Sequence, residues 1–122
     1  MPADIQITFE LGIIRVTYRG EAQFDLTTKM LRNVARIAAE NKSKLLLFDI
    51  REAEDRNYHT DAIRHTQQAP ALGIDQTFRI AFLGSKNLEM LSYIEDVSVN
   101  RGFQAKAFTD EAEAVAWLRS AP

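Results

Sequence analysis

Apolar and polar residues alternate at the start of the chain, with Ile5, Ile7 and Phe9 in one run and Ile14, Val16 and Tyr18 in the next. Glu10-Leu11-Gly12 separates the two runs. Period-two alternation marks half-buried strands, and the short break with its glycine predicts a β-hairpin. The period then lengthens: Met30, Leu31, Val34, Ile37 and Ala38 fall at helical spacing behind Asp25, a residue suited to cap a helix N-terminus. Lys44-Leu-Leu-Leu-Phe-Asp-Ile50 is almost continuously apolar, the pattern of a strand covered on both faces. Residues 51–58 are polar and charged and predict a loop. Thr60 stands where it could cap the next helix, and Pro70 should end it, because the residue before proline disfavours helical dihedrals.

The second half repeats the alternation of strand and helix. Gly73 and Asp75 turn the chain into a strand from Thr77 to Leu83, and Ser85 is placed to cap a helix with Leu88, Leu91, Ile94 and Val97 on one face. Asn100-Arg101-Gly102 predicts its end, since glycine tolerates the positive φ found there. A short strand from Phe103 to Phe108 follows. Asp110 with Glu113 then resembles a capping box ahead of Ala114, Val115 and Leu118, with Trp117 at the margin. The order is ββαβαβαβα. Helices between successive strands require parallel pairing and the hairpin requires antiparallel pairing, so the expected architecture is α/β with a mixed sheet. Nothing in the chain marks a linker or repeat, and residues 1–122 are expected to form a single domain.

Composition narrows the function classes. With 15 basic and 17 acidic residues the net charge is -2, which supplies no positive footprint for nucleic acid. The absence of cysteine excludes disulfides, a thiol nucleophile and Cys-based metal sites. Met1-Pro-Ala-Asp-Ile-Gln6 lacks the basic start and apolar run of a signal peptide, and no apolar run is long enough to span a bilayer. A cytoplasmic protein without an integral membrane segment is the expectation.

The candidate chemistry is sparse. Asp49 sits near the carboxyl end of the central strand, where open α/β sheets place ligands. Its setting echoes the phospho-accepting aspartate of receiver domains, but the acidic pair that would hold Mg²⁺ after the first strand is missing. Glu52, Glu54, Asp55 and His59 cluster in sequence, with His65 on the next helix. The two histidines are six residues apart and would point to different helix faces, unlike a metal-ligand pair. Gly84-Ser85-Lys86-Asn87 joins a strand to a helix start, a place that can hold an anion, but lacks the spacing of a Walker A loop. Tyr58, Trp117, Phe24 and Phe103 are candidates for a pocket, a dimer face or the core, with core packing favoured for the two phenylalanines.

Three phrases carry a family resemblance: Leu45-Leu-Leu-Phe-Asp49-Ile50, Arg79-Ile-Ala-Phe-Leu-Gly84 and Phe108-Thr-Asp-Glu-Ala…Trp117-Leu118. Together they make the chain similar to the STAS family (sulfate transporters and anti-anti-sigma factors), and within it to the SpoIIAA-like, STAS/SEC14-type branch. The resemblance implies a STAS-like mixed sheet. Regulatory members carry an Asp-Ser-Ser-Gly-like phrase at the start of the helix after the central strand, and phosphorylation of its serine controls partner binding. The matching region here reads Asn57-Tyr58-His59-Thr60-Asp61, without serine or glycine, so only Thr60 offers a hydroxyl as a phosphosite. Other branches resemble lipid- or small-ligand-binding domains.

The resulting expectation is a non-enzymatic regulatory or binding module that engages a protein partner or a small apolar or lipid ligand. Its face would include Asp49, Tyr58, His59, Thr60 and Ser85, within residues 51–66 and 84–88. No cofactor, metal or catalytic residue is expected. The rivals are a small enzyme using Asp49, His59 or Glu54 as acid or base, and a structural subunit of a homodimer.

Overall fold

The computed structural model describes residues 3–120; Met1 and Pro2 of the N-terminal reading lie outside the described residues. Strands β1 (Asp4–Glu10) and β2 (Ile13–Glu21) form the opening hairpin, followed by α1 (Phe24–Asn41) and β3 (Leu45–Glu54). The chain continues through α2 (Tyr58–Leu72), β4 (Arg79–Leu83), α3 (Leu88–Asn100), β5 (Gln104–Phe108) and α4 (Glu111–Arg119). The five strands lie in sequence order, with β1 antiparallel to β2 and every later neighbour parallel. The α/β mixed sheet read from the hydrophobic periods is therefore the observed one.

The turn between β1 and β2 is made by Leu11 (φ 54°) and Gly12 (φ 82°). Positive φ at both positions gives the twist that a two-residue hairpin needs. On one face of the sheet, Ile14, Val16, Leu46 and Ile80 pack against Met30, Leu31 and Val34 of α1, with Ala69 and Phe103 closing the cluster. On the other face, Ile13, Leu47, Ala81 and Leu83 are covered by Ala114 and Leu118 of α4. Three helices thus crowd one face and a single helix covers part of the other. Leu46 and Leu47 of β3 are both essentially unexposed, as a strand covered on two faces requires.

Several local expectations are corrected. The predicted loop at 51–58 begins only after Glu54, because Glu52, Ala53 and Glu54 pair with Arg19, Gly20 and Glu21. Between Thr17 and Arg19, β2 advances two residues while β3 advances three, from Asp49 to Glu52: a β-bulge. Charged side chains here do not interrupt the strand, since backbone pairing with β2 decides it. Asp25 lies in the first turn of α1 rather than at its cap; Gln23 is the cap residue, and its N–H donates to the Tyr18 hydroxyl at 3.1 Å. Asp25 still suits the positive helix end.

Thr60 does not cap α2. The helix begins two residues earlier behind Asn57, whose N–H donates to the Asp55 carboxylate at 2.9 Å in a tight Asx turn. Pro70 lies inside the last turn instead of ending the helix. It forfeits one backbone bond, and Gly73 makes the end two residues later, with the Ile74 N–H returning to the Ala69 carbonyl at 2.9 Å. Ser85 is displaced as the α3 cap by Asn87, whose Oδ1 accepts the Met90 N–H at 2.9 Å. The expected α3 face is rotated as well: Met90, Leu91 and Ser98 are buried, while Leu88 is 56% exposed. At α4, Asp110 caps as expected, accepting from Ala112 and Glu113. Strand β4 starts at Arg79 rather than Thr77, because Thr77 is held in an Asx turn by Asp75.

Gly73 has φ 107°, and a Cβ built there would lie 3.0 Å from the Ala35 Cβ of α1. Gly12 has φ 82° but open space around it. Gly73→Ala is therefore expected to cost about 2 kcal/mol or more, combining backbone strain with steric pressure between α1 and α2, against about 1 kcal/mol for Gly12→Ala. Urea denaturation of both variants checks this; equal losses would show that α1 yields freely at Gly73.

Candidate apolar cavity and its polar rim

The bulge in β3 has a consequence for what each face of the sheet presents. Phe48, Ile50 and Ala53 all turn toward the three-helix face and line an internal cavity of about 160 Å³. Before the bulge the spacing is two residues, and across it three, which keeps Ala53 on that face. The rest of the wall comes from Met30, Leu31, Phe82, Ile94 and Phe103, among others. The space exists because α2 and α3 put small side chains against the sheet: Ala62 and Ala69, two helical turns apart, and Ser98. Cores are normally packed without voids larger than a water molecule, so a gap of this size is an exception that calls for an occupant. An apolar cavity of roughly 150 Å³ stays dry and accepts benzene.

The polar groups of the wall gather where β3 runs into α2. Asp55 and Tyr58 are half-buried, so this end reaches the surface, and Asp61 is only 8% exposed. The Asp55 carboxyl is pushed up to about 6, chiefly by burial and further by a hydrogen bond and like charge from Asp61, against the Asn57 N–H that favours its ionised form. His65 also lines the cavity, stacked on Phe24 at 4.7 Å between ring centres. Its Nδ1 accepts from Gln68 Nε2 at 3.2 Å, which leaves the proton of the neutral ring on Nε2. Burial lowers the His65 pKa below the usual value.

Tyr58 and His59 stack at 4.0 Å, and Tyr93 of α3 meets His59 edge-on at 4.5 Å. The Tyr93 hydroxyl donates to the His59 carbonyl, tying α3 to the start of α2. Thr60 is exposed in the first turn of α2. Ser85 is exposed at the end of β4, where its hydroxyl reaches the Arg51 carbonyl at 3.3 Å.

Asp49 is on the opposite face of the sheet from the cavity. Arg51 grips it with Nε to Oδ1 at 2.9 Å and Nη2 to Oδ2 at 2.8 Å, and the Arg51 N–H also reaches Oδ1. Arg15 Nη2 donates to Asp49 Oδ2 at 2.8 Å and to Glu111 Oε1 at 2.9 Å, and Arg51 meets the same Glu111 oxygen at 3.2 Å. Two cations and two anions alternate, pinning the first turn of α4 to β2 and β3. Burial would raise the Asp49 pKa, but the hydrogen bonds from Arg51 and Arg15 outweigh it and the net direction is down. Glu111 is lowered too, first by its hydrogen bond from Arg15.

The candidate face read from the sequence therefore divides. Tyr58, His59 and Thr60 share the start of α2, Ser85 lies across the end of β4, and Asp49 belongs to a neutral ion-pair network behind the sheet. Asp49, His59 and Glu54 do not converge: Asp49 is bound to arginines, while Glu54 is exposed at the end of β3 and His59 is exposed in the first turn of α2. Among the described residues no three His, Asp or Glu side chains gather as a metal-holding group. Phe103 is core, Phe24 is half-buried, and Trp117 packs on Phe108 under the Arg79 guanidinium. Sequence reading missed the acid pair and the network of Arg15, Arg51 and Glu111. The Asp55-x-Asn57 turn and the alanines at 62 and 69 were the visible signals for the first; nothing local marks the second, whose members come from three separate elements.

No protein-family model matches the chain, and no curated protein matches it by sequence. Solved structures do. An uncharacterised protein of the DUF3478 family with a SpoIIAA-like fold, from Shewanella loihica PV-4, aligns with a TM-score of 0.60 at 18% identity, over 95% of this chain and 93% of that one. An anti-sigma factor antagonist from Mycobacterium paratuberculosis aligns with a TM-score of 0.64 at 11% identity, over 98% and 96% of the two chains. The anti-sigma factor antagonist SpoIIAA in its unphosphorylated form gives 0.59 at 11%, over 95% and 96%. Identities this low speak for architecture alone, and on that ground the chain has the SpoIIAA-like fold of STAS-type domains.

Proposed function

We propose that this protein is a non-enzymatic binding module that takes a small apolar ligand into the cavity between its sheet and the helices α1, α2 and α3. The observation that carries the reading is the cavity of about 160 Å³, walled by aromatic and aliphatic side chains and reaching the surface beside Tyr58. Pockets with an apolar body and a few convergent polar groups are the usual form of small-molecule sites. The available space suits a ligand body of about six to eight heavy atoms, the size of a benzene derivative.

A protein partner at the start of α2 is a second reading. It is supported by the exposed group formed by His59, with Tyr58 and Tyr93 beside it, and by Leu88 nearby in sequence order on α3, 56% exposed. Two of the similar structures are named as anti-sigma factor antagonists, which fits a regulatory role exercised through a protein. Ligand uptake and partner docking are compatible, because the partner face adjoins the polar end of the cavity. Among the described residues no helix is long and apolar enough to cross a membrane.

Toluene is the simplest probe. Ligand-observed NMR and thermal shift should report saturable binding with Kd of about 0.1–1 mM, the range that seven heavy atoms in an apolar site allow. Native mass spectrometry of protein from its native host should retain a small molecule. The absence of both saturable toluene binding and a retained ligand would overturn the cavity reading.

A further inference from the structure

The polar end of the cavity holds two carboxyls without a cation. The Asp61 side chain lies in the cavity wall, 8% exposed, and its backbone N–H is spent on the Asn57 carbonyl. Among the described residues no arginine, lysine or backbone N–H bonds its carboxyl, and the Asp55 carboxyl, which accepts the Asn57 N–H, lines the same cavity. Burial and the neighbouring Asp61 raise the Asp55 carboxyl to about 6, so Asp55 holds its proton below that pH and is an anion above it.

Each nearby cation is engaged elsewhere. Arg64 lies over the Phe24 ring at 3.6 Å, and Arg56 reaches Glu21 at 3.8 Å. Burial lowers the His65 pKa, against the nearby Asp61 charge, which raises it, and the His65 Nδ1 receives the Gln68 amide. On β2 the Tyr18 hydroxyl is bound to Thr27 and Gln23, and α1 brings Thr27, Met30 and Leu31 to the wall. The β4 contribution is Ile80 and Phe82, and α3 adds Met90, Ile94 and Ser98, with the Glu89 charge near Tyr58. The contrast with Asp49 is instructive. That buried aspartate meets two arginines, whereas this pair of acids has an empty apolar chamber beside it. A buried carboxylate without a counter-charge is costly, and an N–H donor supplied from outside would remove the cost.

We infer that the ligand is a small apolar molecule bearing a protonated amine, with its apolar body in the cavity and its ammonium group bridging Asp55 and Asp61. This rests on the cavity being a ligand site. An ammonium group has three N–H donors, enough to bond both carboxylates and still meet water at the rim. At low pH it displaces the proton held by Asp55, so binding is linked to release of that proton.

The test compares three probes of nearly the same shape: toluene, benzylamine and benzoate, each titrated at about pH 5 and about pH 7.5. At the higher pH benzylamine should bind about tenfold or more tighter than toluene, as charge-assisted hydrogen bonds to two carboxylates allow, and benzoate should not bind. The benzylamine advantage should shrink at the lower pH, where a proton competes for the pair, while toluene should bind equally at both. Asp61→Asn should reduce benzylamine to the level at which the same variant binds toluene; Asp55→Asn serves as the second variant. Toluene binding with no preference for benzylamine, or a preference that survives loss of Asp61, would overturn the amine assignment and leave the cavity reading standing. Failure of both toluene and benzylamine would overturn both.

Discussion

Ala69→Leu is expected to abolish toluene binding, a loss of at least about a hundredfold, while shifting the melting temperature by only a few degrees. Ala69 is 7% exposed and lines the cavity from the last turn of α2, away from the two acids. Leucine and alanine differ little in helix propensity, so the helix itself bears no significant penalty. The added carbons enter space that is already vacant. Burying them should stabilise by about 2 kcal/mol at about 0.8 kcal/mol per methylene, offset by overpacking of about 1–3 kcal/mol where the fit is imperfect. These terms nearly cancel in stability, but the volume is lost to the ligand outright. Ala62→Leu makes the same test nearer the polar end. A binding curve unchanged by both substitutions, measured by the same ligand-observed NMR, would place toluene elsewhere on the protein.

The largest loss of stability outside the apolar core is expected from Asp49→Ala. The substitution leaves Arg15 and Arg51 facing each other with Glu111 alone between them. Removing one partner from a fully buried ion pair costs about 3–5 kcal/mol; here Arg15, Arg51 and Glu111 remain partly solvated, so about 2–3 kcal/mol is the expected figure. For a domain of this size that is a fall of roughly 5–12 °C in melting temperature. The pH dependence has a definite sign. Asp49 and Glu111 are both lowered from their ordinary values of 3.8 and 4.5, so their contribution is fully present above those values. It is lost as the pH falls through the lower folded-state values. Urea unfolding should show the deficit of the variant in full at neutral pH and a convergence with the parent in strong acid. A deficit of the same size under both conditions would mean that packing, rather than charge, accounts for it.

The acid pair behaves in the opposite sense. With Asp55 raised to about 6, its folded form holds the proton more tightly than the unfolded chain does. The resulting stability is complete below the ordinary aspartate value and lost as the pH rises through about 6. The protein thus carries two aspartate sites whose burial has been resolved differently: Asp49 by two guanidinium groups, Asp55 by holding its proton up to about pH 6.

How far these sites could be read in advance follows from the range of the forces that make them. The hairpin was visible because Ile5, Ile7 and Phe9 alternate and Gly12 permits a tight turn. The Asp110 cap was visible because its partners, Ala112 and Glu113, are within one turn of it. Thr60, Ser85 and Asp25 were misplaced as caps by two or three residues, since Asx turns and neighbouring side chains compete for the same few N–H groups. The register of β3 beyond Ile50 was illegible, because backbone pairing with β2 overrides the polar character of residues 51–54.

Period and composition alone determined that this chain makes a mixed α/β sheet entered through a hairpin, because the alternation of apolar residues is a property of each segment taken separately. Which side of the sheet each aspartate would face was decided only in three dimensions. Pairing puts Asp49 and Arg51 on the α4 side, and a single extra residue in β3 keeps Ala53 on the cavity side with Phe48 and Ile50. The cavity itself is a difference between the volume enclosed by three helices and the volume their side chains supply. No segment of the chain carries that difference, so it could arise only from the packing of all of them together.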